Sequence, residues 1–369
     1  MRRLWQRLLP LALAALAVGA FASACGGDDD EGSPSPTLAN AATATALATP
    51  TASPAKRIEE RLKGVPGIVD ATNLSWPREV EGLNGRRTIE AKPMKIHTMS
   101  AGIDEITLSL VPLDRVVGVG SATKNPDTSS FAPLVKALPT VAREPEAVVA
   151  SGAELVIATP TQKADVVAAI EGAGIPVIQL NLDPTPAGRL NAILLLGYIY
   201  GEEERAIALA DEVSARYEKV VAVTGKKADA ERPVVAHLTK YTSLYMAGSG
   251  TTGEGIVTAA GAKNAGTVSG VKGNQQIGLE AVVATNPDII IIPMPKEAGE
   301  RFKAELLAEP TLAGVPAVRN GKVYVVPPSL FTTNSFANVR AVEHLAHILW
   351  PNEFPVADPP QFSLAGQGR

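Results

Sequence analysis

Hydrophobic and polar positions along the chain change period several times, and each change predicts an element. Residues 75–96, SWPREVEGLNGRRTIEAKPMKI, alternate on either side of Asn84-Gly85, the pattern of a hairpin with a tight turn. After Pro93 short apolar runs alternate with helix-period stretches. RVVGVG (115–120), ELVIAT (154–159) and PVIQL (176–180) read as strands, with helices over Ile103–Leu110 and Gln162–Glu171. Thr185-Pro186 supplies a cap and a first-turn proline, and Leu190, Ile193, Leu194 and Tyr198 then recur at helical spacing. A second helix is predicted from Glu202 to Val223, with Ala206, Leu209, Val213, Tyr217 and Val220 as its apolar stripe. Its length is about 33 Å, enough to span two small lobes.

Beyond Pro233 the strand–helix rhythm resumes with VVAHL (234–238), DIIIIP (288–293) and KVYVV (322–326). Helices are predicted over Gly253–Gly261, Leu279–Ala284, Ala298–Ala308 and Ala337–Leu349, and the Pro-rich residues after Pro351 read as an irregular tail. Alternating strand and helix argues for mostly parallel sheets covered on both faces. The fold class is therefore α/β, with two Rossmann-like lobes joined by a single long helix. The reading divides the chain into a leading signal (1–24), a linker (25–60), an N-terminal lobe with its hairpin (75–190), a helical connection (191–228), a C-terminal lobe (229–351) and the tail (352–369).

An internal echo supports the pair of lobes. Residues 145–159, PEAVVASGAELVIAT, align without a gap on 279–293, LEAVVATNPDIIIIP. Glu146 and Glu280 occupy equivalent places, and the separation is far too long for a solenoid repeat. Chance likeness of two helix–strand units is the competing explanation.

The start of the chain has a different character. Arg2, Arg3 and Arg7 precede an apolar run from Leu8 to Phe21 and then small residues, the layout of a secretory signal. A membrane span needs roughly 20 apolar residues, and this run is shorter and contains Pro10. Ala22-Ser23-Ala24-Cys25 resembles the lipobox of bacterial lipoproteins, with Ala22 where leucine is usual. Cys25 is the only cysteine of the chain, so lipidation would leave no free thiol. The Asp28–Asp30 run and the Thr/Ala/Pro/Ser tract after it contain no aromatic residue and read as a solvated tether. Formal charge is −4, and removing residues 1–24 would take it to −7. No basic stripe suggests a nucleic-acid partner.

Ligands of open α/β sheets sit beyond the carboxyl ends of the strands, and pockets favour domain interfaces. In the first lobe the candidates are Met99, Ser100, Ala101 and Gly102, then Ser121, Ala122 and Thr123, then Thr159 and Pro160. In the second they are Tyr241, Tyr245, Gly248, Ser249 and Gly250, then Asn274, Met294, Phe331 and Asn334. These loops are rich in hydroxyls and amides and poor in charge. Aromatics make up only 4% of the chain, so Phe131, Tyr241, Tyr245, Phe331 and Phe336 in or beside such loops are either packing or ligand contacts.

Catalytic signatures are missing. No Gly-x-Ser-x-Gly elbow or His-Glu-x-x-His helix is present. GSGTTG (248–253) fits a dinucleotide fingerprint, but no acid follows about 20 residues on. His344 and His347, three apart, are a weak metal pair without a third ligand. No catalytic residue, resident metal or cofactor is therefore assigned.

From Trp76 to Pro351 the chain resembles the class III substrate-binding proteins of ABC importers, which serve iron–siderophore, haem and vitamin B12 uptake. The resemblance is carried by the order of PREVEGLNGRRTIEAKPMKIHTMSAGIDEITLSLVPLDRVVGVG, EPEAVVASGAELVIATPTQKADVVAAIEGAGIPVIQLN, GLEAVVATNPDIIIIP and VPAVRNGKVYVVPPSLFTTNSFANVRAVEHLAHILWP. It implies two lobes on one helical spine, modest lobe movement, and a metal chelate held in the cleft. An iron complex of the siderophore type ranks first, a corrinoid second and haem third. It also implies that Glu146 and Glu280 dock on arginines of the permease dimer, which works with its ATPase. The plainer reading of these acids is dipole-stabilised residues at helix starts. Localisation would be at the outer face of the cytoplasmic membrane, tethered by lipidated Cys25, as a monomer. An exported α/β enzyme or a sensing lipoprotein is the competing class.

Overall fold

A computed structural model of the chain describes residues 53–363. The signal, Cys25 and most of the tether lie outside the described residues. Where the linker was expected to continue to residue 60, the chain is already helical: α1 (Pro54–Leu62) is capped by Ser53 and buries Ile58 and Leu62. Two apolar residues one turn apart are enough to seat this helix against the long helices described below. The hairpin follows as β1 (Arg78–Gly82) and β2 (Gly85–Ile89). Gly82 pairs with Gly85, so the turn is centred on Leu83-Asn84, one residue earlier than the Asn-Gly signal suggests. Asn84 instead pins the hairpin: its amide donates to the Val177 carbonyl (2.8 Å), and its side-chain oxygen accepts from the Gln179 amide (2.9 Å).

The first lobe is a four-stranded parallel sheet. It contains β3 (Ile96–Thr98), α2 (Ala101–Leu110), β4 (Val116–Gly118), α3 (Ser121–Lys124), α4 (Pro145–Ala150), β5 (Leu155–Ala158), α5 (Ala164–Gly172) and β6 (Val177–Gln179), in the strand order β4-β3-β5-β6. Leu155, Val156, Ile157 and Ala158 are all buried, as a strand covered on both faces must be.

Two helices connect the lobes. In α6 (Pro186–Tyr200) Thr185 caps the start, accepting from the Gly188 amide at 3.1 Å, and Gly201 closes the end in the left-handed region at φ 67°. Glycine suits that position because it carries no Cβ to clash. The spine helix α7 (Glu203–Thr224) buries Ala206, Leu209, Val213, Tyr217 and Val220, the predicted stripe. Polar residues join that stripe as well, because Arg216 is buried against Glu343 with Nε to Oε1 at 2.9 Å.

The second lobe runs through β7 (Val234–Lys240), β8 (Leu244–Ala247), α8 (Thr252–Ala259), β9 (Lys263–Asn264), α9 (Ala265–Val268), β10 (Asn274–Gln276), α10 (Leu279–Thr285), β11 (Ile289–Pro293), α11 (Lys296–Ala308), α12 (Pro316–Arg319), β12 (Val323–Val326), α13 (Pro328–Phe331) and α14 (Val339–Leu349). Its sheet order is β10-β8-β7-β11-β12, with β9 against the start of β7. It is not simply parallel: β8 runs antiparallel to β7, and β10 antiparallel to β8. These two strands lie in stretches that read as Gly/Ser-rich loop, because backbone pairing with a neighbour, not their own periodicity, makes them strands.

Residues 351–363 lack helix and strand but are held in place. Phe362 is buried, its ring 4.7 Å from that of Phe336, with the Arg216 guanidinium 4.4 Å from its centre. His344 Nδ1 is 2.6 Å from the Ala357 carbonyl and His347 Nδ1 is 2.7 Å from that of Phe354, so both histidines tie down this segment. Among the described residues no helix is long and apolar enough to cross a membrane.

Candidate ligand cleft

The alternation of β7 builds the site. His237 and Thr239 are two apart in the strand, so they point to one side of the sheet, and Tyr241 follows just beyond its end. Thr239 pairs directly with Tyr245 of β8, whose neighbour on the other edge is Gln276 of β10. The result is a cavity of about 450 Å³ at the carboxyl end of β7. Its walls include His237, Thr239, Tyr241, Tyr245, Asn274 and Phe331, with Thr242, Thr251, Thr252, Gly253 and Thr332 completing it. Gly253 is required there, since a Cβ at that position would stand 2.9 Å from the His237 ring. His237 is 7% exposed, and its Nε2 has no hydrogen-bond partner. Burial holds the ring well below the ordinary histidine range, at about 4, against an opposing backbone hydrogen bond with Phe331. The ring is therefore neutral at pH 7.

Beside the cavity the two lobes are bolted together. Thr332 lines the cavity, and the next residue, Thr333, reaches α2 of the other lobe. Glu105 is fully buried there and accepts from Ser129 Oγ (2.5 Å), Thr333 Oγ1 (2.7 Å) and Ser335 Oγ. Desolvation raises its pKa, opposed first by the Ser129 bond. Its neighbour Asp104 accepts from Thr98 and Thr123, and burial pushes its carboxyl up to about 8. From the start of α6, Arg189 Nη1 donates to the Asn334 carbonyl. Gly102 lies so close to the Asn334 side chain that a Cβ would overlap it. Tyr217 of the spine donates to Asn338 Oδ1 at 2.9 Å.

Against this geometry the sequence-derived candidates fall into three groups. Tyr241, Tyr245, Asn274 and Phe331 line the cavity. Ser100, Ala101, Ser121, Ala122 and Pro160 are exposed or half-exposed where the first lobe's strands end, but none of them lines it. The remainder have structural places. Met99 packs in the first lobe's core and Met294 in the second's, its sulfur 3.3 Å from the Lys240 amide. Thr123 is spent on Asp104, Thr159 shares a hydroxyl bond with Thr161 (2.7 Å), and Gly102 and Asn334 belong to the seam. In the glycine-rich loop, the Ser249 amide donates to the Val271 carbonyl (2.9 Å) and the Gly250 amide to Glu254 (2.6 Å). Gly248 is pressed so close to Val271 that only glycine fits. That loop is a helix start braced on a neighbouring turn. Phe131 and Phe336 form an edge-to-face pair 6.3 Å apart in the core.

Sequence reasoning does not single out His237, Thr239 or the Asp104-Glu105 pair. The first two were legible as polar positions at period two in an apolar strand, and the pair as adjacent acids inside the apolar helix AGIDEITLSL. A larger groove of about 590 Å³ lies under the hairpin, lined by Arg87, Lys92, Glu154, Glu171 and Pro176. It sits where β5 and β6 begin, at the opposite end of the sheet from a ligand site of this fold class. Among the described residues no group of three or more His, Cys, Asp or Glu side chains is placed to hold a metal ion.

Glu146 and Glu280 each occupy the second position of a helix, α4 and α10, and both are exposed. Their helices lead into β5 and β11, so both acids sit at the end of the sheet that carries the strand carboxyl termini. The echo extends to the backbone. Val148 and Val282 are both buried, and both helices are followed by a left-handed residue, Gly152 at φ 73° and Asn286 at φ 45°.

Residues 96–330 match the family model described as periplasmic binding protein. The uncharacterized ABC transporter substrate-binding lipoprotein YvrC of Bacillus subtilis (strain 168) is 27% identical over 272 residues, 72% of this chain and 83% of its own. The chain superposes on the apo form of the periplasmic haem-binding protein RhuT from Roseiflexus sp. RS-1 with a TM-score of 0.59 and 22% identity. That match covers 70% of this chain and 98% of RhuT. A possible iron-binding, periplasmic solute-binding protein of Staphylococcus epidermidis ATCC 12228 gives 0.59 and 18%, over 70% of this chain and 99% of its own. With two α/β lobes on one long helix and a family match over most of its length, the chain belongs to the periplasmic binding proteins, in their class III fold.

Proposed function

We propose that this chain is the extracytoplasmic substrate-binding lipoprotein of an ABC importer. It captures a metal chelate between its lobes and hands it to a membrane permease dimer worked by an ATPase. The observation that carries the reading is the hydroxyl-lined cavity at the carboxyl end of β7, beside the seam where the lobes meet. Cys25 is the lipid attachment, holding the domain at the outer face of the cytoplasmic membrane. An iron complex of the siderophore type is the first cargo, supported by the description of the S. epidermidis neighbour as a possible iron-binding protein. Haem is the second, supported by the RhuT neighbour. Glu146 and Glu280 are the docking acids. Their equivalent, exposed places at matching helix starts suit a partner with two-fold symmetry.

The test is cargo uptake in cells, comparing the wild type with the Glu146→Ala/Glu280→Ala double variant. Uptake should be abolished while the purified domain keeps its melting temperature and ligand affinity. Unchanged uptake would remove the docking role. Uptake that does not depend on this chain at all would remove the importer reading.

A further inference from the structure

Five consecutive residues are the same in the two lobes: Glu146-Ala147-Val148-Val149-Ala150 in α4 and Glu280-Ala281-Val282-Val283-Ala284 in α10. Their burial matches position by position. Glu146 and Glu280 are exposed, Ala147 and Ala281 half-buried, and Val148 and Val282 buried. The valine and alanine that follow are exposed in both helices, Val149 at 40% and Val283 at 43%.

Folding accounts for the buried valine alone. Val148 packs in the first lobe's core and Val282 in the second's. The buried strands behind these helices differ, with Leu155, Val156 and Ala158 standing where Ile289, Ile290 and Ile292 stand. A core tolerates such apolar exchange when its total volume is kept, and exposed positions tolerate exchange more freely still. Here the buried strands differ and the exposed helix face does not. Valine is also a poor choice for an exposed helical position, since its branched side chain loses rotamer freedom there.

On each helix the valine comes three residues after the acid, so the two side chains are neighbours on one face, about 5–6 Å apart at Cβ. Neither acid forms an ion pair among the described residues. Each lobe thus presents the same patch, an unpaired carboxylate beside an apolar spot, on the helix that leads into β5 or β11.

We infer that Val149 and Val283 touch the same partner as the two acids, and that this partner presents, twice, a basic side chain beside an apolar socket. This rests on the reading of Glu146 and Glu280 as docking acids. The division of labour follows from the chemistry. Opposite charges speed approach and fix register, and covering an apolar side chain slows release.

The test uses the permease–ATPase complex through which the chain imports its cargo, held in nanodiscs. It is titrated with the mature chain carrying Cys25→Ser, so that no lipid anchor contributes. Val149→Ser and Val283→Ser should each weaken binding about fivefold, about 1 kcal/mol, and together about 25-fold, through faster dissociation. Raising the salt should leave that loss unchanged while shrinking the loss caused by Glu146→Ala/Glu280→Ala. Val221→Ser, at an exposed valine of the spine helix, should change nothing, and all variants should melt with the wild type. Wild-type affinity in the double serine variant overturns the inference, as does an effect at only one of the two valines or an equal loss in Val221→Ser. Binding to empty nanodiscs that the serine variants lose would assign the patches to lipid and overturn it as well. If the serine variants bind as wild type and Glu146→Ala/Glu280→Ala does not, the docking acids stand and only the valine inference falls. If neither pair matters, both fall.

Discussion

Two buried polar regions lie within a few residues of each other at the lobe boundary, and they are built on opposite terms. Around Glu105 a carboxylate has hydroxyl donors on both oxygens, contributed by Ser129 of its own lobe and by Thr333 and Ser335 of the other. At His237, a residue of the cavity wall, Nε2 is buried and has no partner. A buried polar group that is satisfied internally fixes a conformation, and one left unsatisfied costs stability unless something arrives to meet it. Burial of a polar group therefore fixes the seam in one place and leaves an unmet cost in the other. Arg189, whose Nη1 donates to the Asn334 carbonyl at the seam, also buries Nε and Nη2 without partners.

The bolt should be the costlier to remove. Glu105→Ala leaves three buried hydroxyls without their acceptor and should lower stability by about 3–5 kcal/mol, read by chemical denaturation. Glu105→Gln, which keeps an acceptor oxygen, should cost much less. If Glu105→Ala costs no more than a cavity-wall substitution, the seam does not hold the lobes.

Next in size is a pH effect of Asp104. Its carboxyl keeps its proton up to about pH 8 in the fold but releases it near 3.9 when unfolded, so the native state binds more protons between those values. Stability supplied by this group is thus fully present at low pH and is lost as pH rises through that window. His97 and His237, both lowered to about 4 by burial, act in the opposite direction but only below about pH 6.5. Between pH 6.5 and 8 wild-type stability should therefore fall by up to about 1.4 kcal/mol per pH unit from Asp104, and Asp104→Asn should remove that share of the slope. A wild-type curve that rises over this range would contradict it.

Tyr217→Phe, which strips the bond to buried Asn338, should cost about 1–2 kcal/mol in thermal melts, with the lobes still joined. Smallest of all is His237→Leu. Replacing a buried imidazole whose Nε2 has no partner by an apolar side chain should leave stability within about 1 kcal/mol of wild type or raise it. A large loss of stability on that substitution would make His237 a structural residue and erase the contrast.

Much of this molecule is legible in its residues. The spine helix follows from Ala206, Leu209, Val213, Tyr217 and Val220 at helical spacing, and those side chains are buried as the pattern requires. The start of α6 is written in Thr185-Pro186. The echo of 145–159 in 279–293 predicts two helix–strand units that match down to the left-handed residue after each helix. These features are local: a cap, a period or a turn residue acts within a few positions of itself.

What the tertiary structure decided is non-local. Strand β8 exists because β7 offers an edge to pair with, and β10 because β8 then does, and no pattern within their own few residues requires it. Met99 and Met294, plausible cleft residues by position in sequence, face inward because their strands are covered on both sides. Glu105 becomes a bolt only when Thr333 and Ser335, more than 200 positions later, are brought against it. His237 becomes part of a cavity wall only when the start of α8 at Gly253, Tyr245 of β8 and Phe331 close a space beside it. The sequence by itself determined the period, the caps and the two-lobed plan, because these depend on neighbours along the chain. Which buried polar groups would be satisfied and which left open depends on distant segments meeting in space, and only the fold decided that.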